Sequence, residues 1–186
     1  PPPAGGQVVL TVLNVLETLP ADNPWRDPTA LHLYVEALKR AYADRALFGD
    51  PAFVDVPVQA LVSRERALRL VERIGPTAVP STTIPPAQAT ALEQRAPAAA
   101  ATGGGTDTTH LSTIDAAGNA VAMTTTVNYG FGAAIVAKGT GVLWNDEMDD
   151  FSIAPGVPNA YGVVGSEANA VAPGKRPVSS MAPTIV

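Results

Sequence analysis

Cysteine is absent from the 186 residues, and histidine occurs only as His32 and His110. The first absence excludes disulfides, cysteine-type zinc sites and a thiol nucleophile together. The second leaves too few imidazoles for a His-rich metal site. Basic residues are also scarce: 12 Lys and Arg stand against 17 Asp and Glu, a formal net charge of −5. Such a chain is not built to neutralise phosphates, so no nucleic-acid partner is expected. No apolar run approaches the roughly 18 residues that a membrane helix needs. The opening PPPAGG has neither the basic start nor the apolar stretch of a signal peptide. Any nucleophile must therefore be Ser, Thr, Lys or a carboxylate.

What is present is globular in composition. Hydrophobic residues make up 46% and charged residues 16%, enough to bury a core and too apolar for a disordered tail. The start at Pro1-Pro2-Pro3 and the end at Thr184-Ile185-Val186, inside an apolar stretch, suggest a piece of a longer protein.

The first 75 residues read as helical. Val8, Leu10, Val12, Leu13, Val15 and Leu16 make a dense apolar pattern over residues 7–17. Asp27 is a cap and Pro28 a first-turn residue for a second helix, to about Arg45, with Leu31, Tyr34, Val35, Leu38 and Tyr42 as its stripe. Ser63 caps a third helix through Ile74, with Leu68, Val71 and Ile74 on its apolar side and Gly75-Pro76 as its stop. Residues 76–107 are Pro-rich and Ala-rich and contain Gly103-Gly104-Gly105, which predicts a flexible linker. Those glycines lack the preceding strand and following Gly-Lys-Ser/Thr of a phosphate cradle.

From residue 108 the apolar period changes to two, and 108–186 is expected to be β-rich. Segments 108–115 (TTHLSTID) and 119–128 (NAVAMTTTVN), joined by Ala116-Ala117-Gly118, predict a hairpin. If Asp115 faces Asn119, paired residue numbers sum to 234, which puts Thr108 opposite Thr126, with Asn128 on the same face. Val121, Met123 and Val127 then point the other way. Residues 131–137 and 141–144 read as further short strands. Segment 145–150 (NDEMDD) is a dense polar cluster without the spacing of a calcium loop, so no metal and no cofactor is expected.

A Thr hydroxyl is a poor nucleophile unless a base lies within hydrogen-bond reach, and a chain cut just before it supplies one in the new α-amino group. Thr108, at the head of a strand after a linker, fits that scheme; a plain β-forming Thr run fits the same pattern. Asp150 suits a substrate ammonium, and Ser179-Ser180 suit either a turn or a substrate carboxylate. His110 reads as a supporting hydrogen-bonder and His32 as structural.

The motifs Thr108-Thr109-His110-Leu111-Ser112, Gly118-Asn119-Ala120-Val121, Asn145-Asp146-Glu147-Met148-Asp149-Asp150-Phe151-Ser152, Pro155-Gly156-Val157-Pro158-Asn159 and Lys175-Arg176-Pro177-Val178-Ser179-Ser180-Met181 together resemble the γ-glutamyltranspeptidase (glutathione hydrolase) family. Tyr42-Ala43-Asp44-Arg45 and Gly49-Asp50-Pro51 resemble the closing part of that family's large subunit. The resemblance implies an α+β fold, the N-terminal-nucleophile hydrolase αββα sandwich, incomplete in this stretch. It implies a precursor cut between Asp107 and Thr108 into large and small subunits. Thr108 would be the nucleophile and Thr126 its orienting partner. Asn128, Glu147, Asp150, Ser179 and Ser180 would hold the α-amino and α-carboxylate groups of a γ-glutamyl substrate such as glutathione. Water, amino acids or peptides would accept the acyl group.

The resemblance also implies a periplasmic or secreted setting. It places an oxyanion-hole glycine pair after Val186 and a carboxylate-clamping arginine before Pro1, so this stretch alone is expected to be inactive. Cephalosporin acylases and poly-γ-glutamate depolymerases share parts of these motifs. A noncatalytic module with Thr108 as a mere strand residue is the alternative of another class.

Overall fold

The computed structural model describes residues 4–19, 27–86 and 108–185. Helix α1 spans Ala4–Leu16 and α2 spans Pro28–Asp44; the short α3, Val58–Leu61, had no signature in the sequence; α4 is Arg64–Arg73. The expected caps are in place. The Asp27 carboxylate accepts from Thr29 N, with Pro28 in the first turn, and the Ser63 hydroxyl accepts from Arg66 N.

The expected apolar stripes hold in part: Tyr34, Leu38 and Val71 pack against the helical core, but other stripe residues face outward. In α2 the buried residues include Ala30, Ala37 and Ala41, whereas Leu31, Val35 and Tyr42 are about half exposed. Small side chains let α1 approach α2 closely, and that selects the alanine face over the bulkier one. In α4 the buried pair is Ala67 and Leu70, and Leu68 is outside. Val12, Val15, Ala37, Ala67 and Leu70 make one core cluster between these three helices. Residues 76–86 are tied to α2: Ile84 is buried, the Val79 N–H donates to Glu36, and Lys39 donates to the Val79 carbonyl. The rest of the expected linker, with Gly103-Gly104-Gly105 and Asp107, lies outside the described residues.

Strands β1, Thr109–Ile114, and β2, Ala120–Thr125, pair antiparallel in the expected register, Thr109 with Thr125 through Ile114 with Ala120. The turn is built by Asp115, whose carboxylate accepts from the backbone N–H groups of Ala117 and Asn119, and by Gly118 at φ +84°. Beyond β2 regular strand is rare. Segments 131–137 and 141–144 are not the strands expected; they form an irregular ribbon with one isolated bridge, Val136 to Leu143. Gly132 at φ +49° and Ala134 at φ +54° break the extended backbone that a strand requires.

Several contacts join the loop-rich half to the helices. Phe48 packs with Ala4, Leu61 and Val178 in a second core cluster. The Ser166 hydroxyl donates to Ala46 O at 2.6 Å. Asp50 is 1% exposed yet ionised, because the Arg176 backbone N–H, Nε and Nη2 reach its carboxylate at 2.9, 3.0 and 2.8 Å. These bonds, with one from Ala52 N, hold its carboxyl far below the usual carboxylate range. Finally, Gly5 N donates to Ser179 O at 3.2 Å, an approach that only glycine permits, since a Cβ there would lie 2.2 Å from Ser180 O.

Candidate active site

The hairpin register delivers the first pair. Thr108 directly precedes β1 and Thr126 directly follows β2, and the Thr108 hydroxyl donates to the Thr126 hydroxyl oxygen at 3.0 Å. Thr126 Oγ1 also accepts from Asn128 N at 3.0 Å. Asn128 arrives by a route the pattern did not predict: β2 has ended, and the residue sits at φ +75°, turning the chain across the site. Asn is among the few side chains that tolerate this region.

His110 lies one alternation along β1 from Thr108, but its ring is engaged with Thr124 Oγ1 at 2.8 Å and Ser112 Oγ at 3.0 Å. It supports the hairpin and is not bonded to Thr108. His32 bonds the Gly75 carbonyl at 2.8 Å, beyond the C-terminus of α4.

Segment 145–150 closes the other side of the site. Glu147–Asp150 form a single-turn 3-10 helix, begun where the Asn145 side chain accepts from Glu147 N at 3.0 Å. Burial pushes the Glu147 carboxyl up to about 7, with help from the hydrogen bond it shares with Asp150 and from the charges of Asp150 and Asp146. Burial likewise raises Asp150, while its bond to Glu147 and the Arg45 charge pull it back down. The two carboxyls therefore titrate as a linked pair, each raised by burial. Glu147 Oε1 is buried and has no hydrogen-bond partner among the described residues.

All seven expected site residues line one cavity of about 310 Å³: Thr108, Thr126, Asn128, Glu147, Asp150, Ser179 and Ser180. Ser179 is buried and its hydroxyl accepts from Met181 N at 3.1 Å, a tight local turn that leaves Ser180 exposed at the cavity. Asp107 lies outside the described residues. Among the described residues no group of three or more His, Asp and Glu side chains is placed to hold a metal ion.

The sequence reading missed several contributors. Asn169 is buried, and its amide donates to Asp150 O at 2.7 Å and accepts from Val178 N at 3.1 Å, joining the carboxyl-bearing turn to the serine-bearing segment. Tyr161 lines the cavity, stacks on Tyr129 at 4.9 Å between ring centroids, and donates to Asn128 O at 2.9 Å. Tyr129 in turn donates to Asp149 at 3.1 Å. Arg45 and Tyr42 enter the same cavity from the end of α2. Only the Tyr42-to-Arg45 motif offered a signal, and it named no role.

A hydroxyl at the head of a strand, oriented by a second hydroxyl and facing a cavity of carboxyl and hydroxyl groups, is the layout of an N-terminal-nucleophile hydrolase. The fold agrees: cephalosporin acylase from Bacillus halodurans matches with a TM-score of 0.69 and 26% identity, over 97% of this chain and 28% of that one. More narrowly, the family model for gamma-glutamyltranspeptidase matches residues 1–186, and the chain belongs to that family. The glutathione hydrolase proenzyme of Escherichia coli (strain K12) is 45% identical over 189 residues, covering 100% of this chain and 31% of the relative. That of Pseudomonas sp. (strain A14) is 42% identical over 188 residues, with the same coverage. The chain thus spans about a third of the length of these curated relatives.

Proposed function

We propose that the protein containing this chain is a γ-glutamyltransferase and glutathione hydrolase that activates itself by cutting before Thr108. The observation that carries this reading is the 3.0 Å bond between the Thr108 and Thr126 hydroxyls at a cavity that also holds Glu147, Asp150, Ser179 and Ser180.

In the first step the Thr108 hydroxyl adds to the Asp107 carbonyl, the Asp107–Thr108 amide bond becomes an ester on Thr108 Oγ1, and water hydrolyses it. The products are a new carboxylate on Asp107 and a new amine on Thr108, which leaves the precursor as large and small subunits held together. In the mature enzyme that amine takes the hydroxyl proton as Oγ1 attacks the γ-carbonyl of the donor. The donor amide bond breaks, the proton passes to the departing amine, and a γ-glutamyl ester of Thr108 remains. Water or the amine of an amino acid or peptide then takes the acyl group and returns the proton.

The donor's head group finds complementary partners. Its α-ammonium meets Asp150 and the unpartnered Glu147 Oε1, and its α-carboxylate meets Ser179, Ser180 and the Asn128 amide. This polar head-group subsite favours a γ-glutamyl donor over the acyl chain of a cephalosporin. The periplasmic or extracellular setting that the family resemblance implies belongs to the same proposal.

The test is mass spectrometry of the full precursor incubated with a γ-glutamyl anilide and quenched in acid. A γ-glutamyl adduct on the peptide beginning at Thr108 supports the reading. Anilide turnover with that peptide never modified, or turnover persisting in Thr108→Ala, refutes it.

A further inference from the structure

We infer that Arg45 is a positioning residue of the head-group subsite: from the wall between two cavities it faces the Asp150 carboxylate and holds the backbone that carries Ser179 and Ser180. This deepens the function proposed above and rests on it.

Arg45 opens the 3-10 turn Arg45–Leu47 that directly follows α2. Its Nη2 donates to Val178 O at 3.4 Å, the carbonyl just before Ser179. The site cavity and a neighbouring one of about 280 Å³ share the same wall, which Arg45 makes with Asp150, Asn159 and Val163. Arg45 is the one cationic side chain lining either cavity among the described residues.

Burying a guanidinium is costly unless an opposite charge faces it, and here the opposite charge is Asp150. The negative groups are crowded. Asp146, Glu147, Asp149 and Asp150 sit at or within one turn, and the neutral phenols of Tyr42 and Tyr161 line the same cavity. Burial and these neighbouring carboxylates raise both members of the Glu147 and Asp150 pair, and the Arg45 charge pulls Asp150 back down. A neutral Asp150 would lose its charge-assisted bond to the ammonium and leave only neutral acceptors such as Glu147 Oε1. Arg45 breaks the tie: it faces Asp150, so Asp150 is the member that ionises first and Glu147 the member that keeps the proton.

The experiment uses the full precursor with Arg45→Gln, Arg45→Met and Arg45→Lys. Cleavage before Thr108 reports folding, and steady-state turnover of a γ-glutamyl anilide is followed from acid to neutral pH. Arg45→Gln should raise KM about tenfold with a smaller loss of kcat. It should also move the acid limb of kcat/KM to higher pH, because Asp150 loses the charge that lowers it. Arg45→Met replaces the Gln variant if that chain stays uncut. Arg45→Lys keeps the charge and should leave the acid limb in place while recovering most of the affinity. Native KM and an unmoved acid limb in the neutral variants would overturn the inference, as would a Lys variant displaced as far as they are. If instead the native precursor shows no γ-glutamyl turnover, it is the underlying function that fails.

Discussion

Thr126 does its work through one hydroxyl. It receives the Thr108 proton donor at 3.0 Å and is itself fixed by Asn128 N at 3.0 Å, so under the proposed function Thr126→Ala would leave the Thr108 hydroxyl unoriented without emptying the head-group subsite. In the full enzyme we expect kcat to fall roughly ten- to a hundredfold with KM little changed, the loss of one well-placed hydrogen bond. Steady-state kinetics check it. Glu147 gives a prediction in pH. Its folded-state value, about 7, lies above its ordinary value of 4.5, so its contribution to stability is fully present below about 4.5 and is lost as pH rises through 7. Denaturant titrations should show the native protein losing stability over that interval, and Glu147→Gln should flatten that slope. A native protein with no slope there would remove the shared proton from the site.

At the scale of elements, the carboxyl-bearing turn and the serine-bearing segment are held by groups that do not line the site cavity. Asn169→Ala would orphan Asp150 O and Val178 N in a buried place, at roughly 1–3 kcal/mol for each group left unsatisfied. Thermal unfolding together with KM for the donor would register the loss. Gly5→Ala drives a Cβ against the Ser180 carbonyl, so it should raise KM while α1 stays helical by circular dichroism.

The same elements show what was legible. Residue alternation and the Gly118 loop gave the hairpin register, and with it the Thr108 and Thr126 pair, because a strand's period and a tight turn are local facts. The caps Asp27 and Ser63 were legible for the same reason. Asn169, Tyr161 and Arg45 were not, because their partners lie 9 to 133 positions away and no local spacing announces such bonds. The stripes of α2 and α4 were legible in part: Tyr34, Leu38 and Val71 do pack on the core, but the fully buried alanines were missed because close helix packing rewards small side chains, which a count of large apolar residues overlooks.

Over the whole molecule, the helical half and the loop-rich half are joined by Asp50 and Arg176, and by Phe48 against Val178. Asp50 is ionised and its carboxyl is depressed, so its stabilising contribution is present above about 3.8 and disappears as pH falls through its folded value. Asp50→Asn should therefore weaken the fold at neutral pH and make little difference in strong acid, which denaturation at the two pH values would show. The family's αββα sandwich is present here as its helices and one hairpin, and among the described residues no helix is long and apolar enough to cross a membrane. Under the proposed function, only a chain broken before Thr108 makes a nucleophile whose own amine is its base. The most direct measurement is a parallel time course on the purified full-length precursor, following the appearance of a Thr108 amino terminus and the rate of γ-glutamyl anilide turnover. The account predicts that the two rise in proportion and that an uncut chain is inert; turnover at full rate by an unbroken chain would contradict it.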